Sequence, residues 1–370
     1  MLTRLGSLNA LEQTKAGHGW TRWLGGSLPS ADTIGRVFRS VDLHAIRQLL
    51  HKIYTSLKRG KSLAPPAHGL MVLVLDGHES HASYDRSCSG CLTRTITSKG
   101  PDGEDVARTQ FYHRHVAASL LARDQNILLD LEPIRSGEDE IAAAIRLIDR
   151  LLEHYPRAFD VVVGDGLYAR ADFFNAVLNH GKQVMAVLKN KERILMEDLR
   201  NLLPGVAPVE LEHAGAAVKA WDMEGFKSWP QVKVPVRVVR TMETRRVTRQ
   251  RTGEVEEQTS EWIWVMSLPK TQAPTRAVVQ IGHRRWAIEN EGFNEAVNHW
   301  HADHVYTHDA HAIQAFILLL FVAINLFHAF WRRNLKPALR SRFTKKHVAA
   351  QVEAAFRNGD LAIAWARAPT

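Results

Sequence analysis

Three acidic residues, far apart along the chain, have the types and settings that phosphoryl-transfer chemistry uses. Asp76 ends the continuous apolar run Met71–Leu75, and Asp165 follows the run Val161–Val163; both aspartates precede a glycine. Runs without alternation indicate strands buried on both faces, and ligands of open α/β sheets gather beyond the carboxyl ends of such strands. The two aspartates therefore form a candidate site, although either could simply belong to an ordinary strand-end turn.

The third acid, Glu289, lies four residues after Arg285 in the segment 281–294. If this segment is a helix, Arg285, Glu289, Gly292 and Ala296 share one face, and the small residues leave room for a bulky ligand. An exposed ion pair between Arg285 and Glu289 is the simpler alternative. Carboxylates are the ligands that hard divalent ions such as Mg²⁺ prefer.

A second kind of metal site is suggested by the only two cysteines of the chain. His78, His81, Cys88 and Cys91 have a spacing that tetrahedral zinc accepts, although a reduced pair of loop cysteines is the favoured interpretation. Further histidines lie between 299 and 311, where packing or contact with DNA phosphate is favoured over metal binding; they are His299, His301, His304, His308 and His311.

Charge and composition indicate a polyanionic partner and a reducing compartment. The 370 residues carry a formal net charge of +9, which favours nucleic acid before a membrane surface. Basic side chains are concentrated in 240–251 and 332–346, and those of the first run include Arg245, Arg246 and Arg249. Two cysteines provide no disulfide framework, and the first residues lack a secretory signal, so a cytoplasmic protein is expected.

One uncharged stretch, 312–330, is long enough to cross a bilayer. Gln314, Asn325 and His328 interrupt it, and nothing else in the sequence looks membrane-spanning. A buried core helix is therefore the preferred interpretation, since helices that are apolar all round lie inside large domains.

The order of elements predicts an α/β fold with a mixed sheet. Helices are predicted in 1–69 with Ser30 as an N-cap, and strands and helices, one of them capped by Ser136, in 70–189. The expected domains are an N-terminal helical subdomain, a catalytic domain in two parts, a β-rich insertion and a basic tail, at 1–69, 70–189 with 281–335, 190–280 and 336–370.

Three short motifs in this order resemble those of the DDE-type bacterial insertion-sequence transposases, most closely insertion-sequence family four. They are Leu75–Gly77, Gly164–Tyr168 and Arg285–Glu289, and the resemblance covers roughly 30–335. Each motif alone is weak, but three in the right order, with a β-rich segment before the glutamate, are fairly specific. The resemblance implies an RNase H-like catalytic domain.

The resemblance also implies the chemistry and the partners. Asp76, Asp165 and Glu289 would be the catalytic acids and would hold Mg²⁺ or Mn²⁺, in a pair of ions that activates the attacking oxygen and stabilises the leaving oxygen. The substrates would be double-stranded DNA at the element ends and at the target, held by a homodimer. Rival interpretations are a nuclease of the same fold without strand transfer, and a DNA-binding remnant without catalysis.

The chain departs from the family pattern around the glutamate. Where that branch has a tyrosine and a lysine that contact DNA phosphate, this sequence has Gly282 and Ala296. Arg285 is retained, and Arg284, His283 or His299 are the candidates to replace the missing phosphate contacts.

Overall fold

The computed structural model describes residues 6–14, 20, 24–189, 194–249, 251–304 and 306–358, without the side chains of 356–358. The helices are α1 Leu8–Glu12, α2 Ala31–Ser40, α3 Leu43–Arg59, α4 Glu140–His154, α5 Ala171–Asn179, α6 Ile194–Leu202, α7 Thr275–Arg284, α8 Asn294–Trp300, α9 Ala310–Arg333, α10 Pro337–Arg342 and α11 Lys345–Asn358. The strands are β1 Val72–Ser83, β2 Leu92–Lys99, β3 Asp105–Leu121, β4 Asn126–Pro133, β5 Val161–Gly164, β6 Gln183–Val187, β7 Val209–His213, β8 Ala216–Phe226, β9 Val236–Thr248 and β10 Val255–Met266.

These strands form one mixed sheet in the order β2-β3-β1-β5-β6-β10-β9-β8-β7, with β4 paired to the other half of the long strand β3. Strands β1, β5 and β6 are parallel to one another, and β1 pairs antiparallel with β3. The order β4-β3-β1-β5-β6 is the RNase H-like core, so the predicted fold class is confirmed. The β-rich segment after β6 extends the same sheet through the pairing of β10 with β6.

Strand β1 shows why the central strands read as continuous apolar runs. Val72 and Val74 belong to a core on one face of the sheet, whereas Leu73 and Leu75 belong to a core on the other face. All four side chains are fully buried. Helices on both faces thus cover the sheet, and side chains of alternating direction must all be apolar.

The long apolar helix α9 is the centre of one of these cores. Among the described residues it is the one helix long and apolar enough to cross a membrane, but 67% of its apolar window is buried inside the protein. Its polar side chains have internal partners: Asn325 donates to the Leu128 carbonyl at 2.7 Å and accepts from the Leu128 amide at 3.0 Å. His328 contacts the Glu295 carboxylate at 2.9 Å. These contacts satisfy polar groups that a lipid environment would leave unpaired.

Helices near both ends of the described residues pack against this core. Phe38 of α2 meets Phe316 of α9 at a ring distance of 6.3 Å, and Ser30 caps α2 as predicted. The segment predicted as a basic tail contains helices α10 and α11, and Val348 and Ala349 are buried. Residues 359–370 lie outside the described residues.

Candidate active site

Strand register brings Asp76 and Asp165 together. β1 and β5 pair in parallel with Val72 opposite Val161 and Val74 opposite Val163. Asp76 and Asp165 each lie two residues beyond the last of these pairs, and the two carboxylates are close enough for the Asp165 charge to raise the pKa of Asp76. The sequence expectation that β1 ends at Asp76 is wrong, because β3 keeps pairing with β1 as far as Ser83. It is the parallel partner β5 that ends here, at Gly164.

The turn around Asp165 is built on close contacts of glycine. The Asp165 carboxylate accepts a hydrogen bond from the Leu167 amide at 2.8 Å and so caps a short 3₁₀ turn, Gly166–Tyr168. A Cβ added at Gly164 would lie 2.3 Å from the Tyr168 ring. Lys189 Nζ lies 4.0 Å from the carboxylate of Asp165. This packing explains why glycine flanks the aspartate and why a tyrosine follows it.

A further acid, Glu140, belongs to the same cluster and was missed by the sequence analysis. It is the first residue of α4, and its carboxylate lies so close to β1 that a Cβ at Gly77 would be 2.1 Å from its Oε2. Tyr168 donates its hydroxyl to Glu140 at 2.9 Å, and Arg114 donates at 2.8 Å. The predicted N-cap of this helix, Ser136, is wrong, because Asp139 caps α4.

The cluster concentrates negative charge in a partly buried place. Burial raises the pKa of Asp76 to about 6; Arg285 opposes this effect, and the charges of Asp165 and Glu140 add to it. Burial also raises the pKa of Glu140, against the hydrogen bond from Tyr168. A bound cation would stabilise the ionised form of these carboxylates, since it offsets both their desolvation and their mutual repulsion.

The segment that carries Glu289 runs along the same face of β1. Arg285 Nη1 lies 3.6 Å from Asp76, and the Phe293 ring stacks on His78, two residues further along β1, at 4.4 Å. Glu289 lies midway between Arg285 and Phe293 in sequence, and its carboxylate has no hydrogen-bonding or ionic partner among the described residues. The segment is not one regular helix as expected: α7 ends at Arg284, and a π-helical turn spans Glu289–Phe293. Such turns are frequent at functional sites.

The two departures from the expected family pattern have a structural cause. A side chain at position 282 has no room, because a Cβ on Gly282 would lie 2.4 Å from the Trp264 indole. Ala296 is buried in the core, where a lysine ammonium would be costly. Two of the proposed replacements are engaged inside the protein: Arg284 donates to the Ala122 carbonyl at 2.8 Å, and His283 contacts Glu243 at 2.8 Å.

The basic run 240–251 is less positive in the structure than in the sequence. Pairing with β10 sets glutamates beside the arginines, with Arg249 2.7 Å from Glu256 and Arg246 3.5 Å from Glu257. Arg245 lies opposite Gln258 in the same hairpin. The partner strand β10 therefore supplies acidic neighbours to the run, in addition to Glu243 within it.

The cysteines meet a different pair of histidines from the one that their spacing suggested. Cys88 and Cys91 converge with His113 of β3 and His308, which precedes α9. His78 instead stacks on Phe293, and neither His78 nor His81 belongs to the group. The sequence-based set of His78, His81, Cys88 and Cys91 is therefore corrected in its histidines. His311 contacts the Val41 carbonyl at 2.8 Å, in keeping with the packing role favoured for that cluster.

Comparison with known proteins gives the family. The transposase DDE domain family matches residues 68–326, a range that begins just before β1 and ends within α9. No curated protein gives a significant match. The matched range contains the whole acidic cluster and the RNase H-like core. DDE transposases generally use divalent metal ions in DNA transposition. The chain therefore belongs to the transposase DDE domain family.

Proposed function

We propose that this protein is a transposase that cleaves DNA at the ends of its element and joins the freed ends to target DNA. Asp76, Asp165 and Glu289 are proposed as the catalytic acids that hold Mg²⁺ or Mn²⁺, in a pair of ions. The observation that supports the proposal is the parallel pairing of β1 with β5, because Asp76 and Asp165 each lie two residues beyond its last pair, Val74 and Val163, within the family's domain.

Glu289 is favoured as the third ligand over Glu140 because its carboxylate is uncommitted. Glu140 accepts hydrogen bonds from Tyr168 and Arg114, so its oxygens are already engaged. Glu289 has no such partner among the described residues and lies on a segment whose two neighbours, Arg285 and Phe293, both contact the Asp76 face of β1. Glu140 is better suited to position Tyr168 and the turn that holds Asp165.

The metal ions would activate the attacking oxygen and stabilise the leaving oxygen of an in-line displacement. The protein's own residues would orient the substrate. Arg285 lies beside Asp76 and is 8% exposed at its side chain, so it would meet a phosphate only at the site itself. Four further arginines are proposed to contact DNA outside the acidic cluster: Arg245, Arg246, Arg249 and Arg284. Arg284 has fewer donors left for phosphate, because it already donates to the Ala122 carbonyl.

An element has two ends, so we propose that two copies of the chain act together on double-stranded DNA. We place this activity in the cytoplasm, where the DNA is. The net charge of +9 supports a DNA partner, since neutralising phosphates releases counterions and strengthens binding.

The experiment that tests the proposal uses labelled DNA that carries the sequences flanking the reading frame. With Mg²⁺ or Mn²⁺ the wild-type protein is expected to release 3′-hydroxyl ends and then to give joined products with a target plasmid. Asp165→Asn should abolish both steps and keep DNA binding. Cleavage without joined products would support the nuclease instead. DNA binding without cleavage in any metal would support the remnant.

A further inference from the structure

We propose that Cys88, Cys91, His113 and His308 bind a zinc ion in a structural site separate from the acidic cluster. The four donor atoms lie within 4.8 Å of one another, although the residues come from three distant segments. Two thiolates and two imidazoles are a donor set that zinc takes in structural sites.

The distances between the donor atoms match the edges of a zinc tetrahedron. The two sulfurs are 3.8 Å apart, and His113 Nε2 lies 3.4 Å from each of them. His308 Nδ1 lies 3.5 Å from the sulfur of Cys91. With zinc bonds of about 2.3 Å to sulfur and about 2.05 Å to nitrogen, a regular tetrahedron has edges of about 3.8 Å and about 3.6 Å.

These distances do not fit a disulfide, in which the sulfurs are about 2.05 Å apart. The distances lie within hydrogen-bonding range of sulfur, but thiols are weak donors and one imidazole nitrogen cannot accept from both cysteines at once. A cation at the centre explains why four donor atoms converge on one point.

Groups around the four ligands hold them in the binding geometry. His308 Nε2 lies 3.0 Å from the His81 carbonyl, a contact that places the proton on Nε2 and leaves Nδ1 free to face Cys91. The Cys88 amide donates to the sulfur of Cys91 at 3.2 Å. A Cβ at Gly90 would lie 2.6 Å from the Cβ of Ala310, so the cysteine loop can approach α9 only with glycine at that position.

The position of the site indicates a structural task. Cys88 and Cys91 lie between β1 and β2, His113 lies on β3, and His308 directly precedes Asp309, which caps α9. The ion would fasten the start of α9 to the strands whose other half carries Asp76. Four protein ligands leave no open position for a reacting group, as in other structural zinc sites.

The test begins with the metal content of the full-length protein purified without a metal-affinity tag. One equivalent of zinc per chain is expected, and X-ray absorption of the same sample should show two sulfur and two nitrogen ligands. Neither measurement needs a variant to fold or the enzyme to be active, so failure here is independent of the transposase proposal. A metal-free sample that gains no zinc on addition, or a Cys88–Cys91 disulfide in freshly purified protein, would overturn the proposal.

Variants then assign the ligands. Cys91→Ser and His308→Gln should each weaken zinc binding at least 10-fold, measured by competition with a chromogenic chelator. Cobalt substitution should give thiolate charge-transfer bands in the wild type that weaken in Cys91→Ser. His304→Gln is the matched control, because His304 is exposed on the same segment and should keep full zinc content. Loss of zinc in His81→Gln, with full content in His113→Gln and His308→Gln, would overturn this ligand set.

Discussion

The acidic cluster includes Asp76 of β1 and the Cys/His cluster includes His113 of the neighbouring strand β3, but the two clusters are built in opposite ways. In the acidic cluster Asp76, Asp165 and Glu140 repel one another, and burial raises the pKa of two of them. In the Cys/His cluster four donors converge within 4.8 Å from three segments. The acidic cluster destabilises its own ionised carboxylates and leaves the Glu289 carboxylate without a partner. In the Cys/His cluster all four side chains face one position, where a metal ion would lie.

This difference separates a site for chemistry from a site for stability. Hard oxygen ligands with spare positions suit ions that must also bind substrate, and closed sets of sulfur and nitrogen suit ions that only hold segments together. Changes in the acidic cluster should therefore affect activity and leave or even raise stability. Changes in the Cys/His cluster should lower stability first.

The largest expected effect is the loss of DNA cleavage in Asp76→Asn. The asparagine keeps the shape but removes a charged metal ligand, so cleavage should fall well beyond the roughly 10²-fold that loss of an outer-shell partner costs. DNA binding, measured by gel shift, should remain. Asp172→Asn is the control, since Asp172 is an exposed acid of α5 that pairs with Arg170. Cleavage by Asp76→Asn at the wild-type rate would remove the acidic cluster from the chemistry.

The next effect distinguishes the two glutamates. Glu289→Gln should match Asp76→Asn in its loss of cleavage, because it removes a proposed ligand. Glu140→Gln keeps one acceptor oxygen for Tyr168 and loses the acceptor for Arg114, so a loss of about 10- to 100-fold is expected. Single-turnover cleavage at several Mg²⁺ concentrations measures both. If the two variants exchange these behaviours, Glu140 and not Glu289 is the third ligand.

The sequence predicted the strands and aspartates of the acidic cluster. It did not predict the residues that become part of the two clusters through contacts between distant segments. Apolar runs predicted β1 and β5, and their aspartates, because a strand buried on both faces leaves that signature. Glu140 looked like any acid in a first helical turn; only the packing of α4 against Gly77 brings it to Asp76. A stronger signal was available in Gly77 itself, since glycine inside a strand indicates close approach by another group.

The histidine partners of the cysteines show the same limit. Spacing pointed to His78 and His81, which are near Cys88 in sequence, but strand β1 carries their side chains elsewhere. His113 reaches the cysteines through antiparallel pairing, in which it lies opposite Ser80. His308 comes from 217 residues beyond Cys91. Local spacing contains neither relation, and only the assembled sheet and helix supply them.

The raised pKa of Asp76 should also make the free energy of unfolding depend on pH. The pKa of Asp76 is about 6 in the folded protein against an ordinary value of 3.8, so the metal-free folded state binds more protons than the unfolded state between these pH values. Stability should therefore fall as pH rises from about 4 to about 6, by up to about 3 kcal/mol. Asp76→Asn should be more stable than the wild type at pH 7 and lose this advantage below about pH 4.

Thermal or urea unfolding of both proteins in the presence of a chelator of Mg²⁺ measures this difference. Adding Mg²⁺ should stabilise the wild type and have less effect on Asp76→Asn, because the ion offsets a repulsion that the variant lacks. Equal stability of the two metal-free proteins at pH 7 would show that burial and the neighbouring acids do not raise the pKa of Asp76.

The smallest effect concerns the Cys/His cluster, where stability and not activity should respond. Gly90→Ala places a methyl group 2.6 Å from the Cβ of Ala310, so the cysteine loop must move away from α9. Overpacking of this kind costs about 1–3 kcal/mol, and the displaced Cys91 should also weaken zinc binding. Gly26→Ala is the matched control, because a Cβ there meets no atom within 4 Å. Urea unfolding with and without added zinc measures both effects. A Gly90→Ala protein that loses no stability would mean that the cysteine loop is not held against α9. The Cys/His cluster would then not be the stabilising site that this comparison with the acidic cluster assumes.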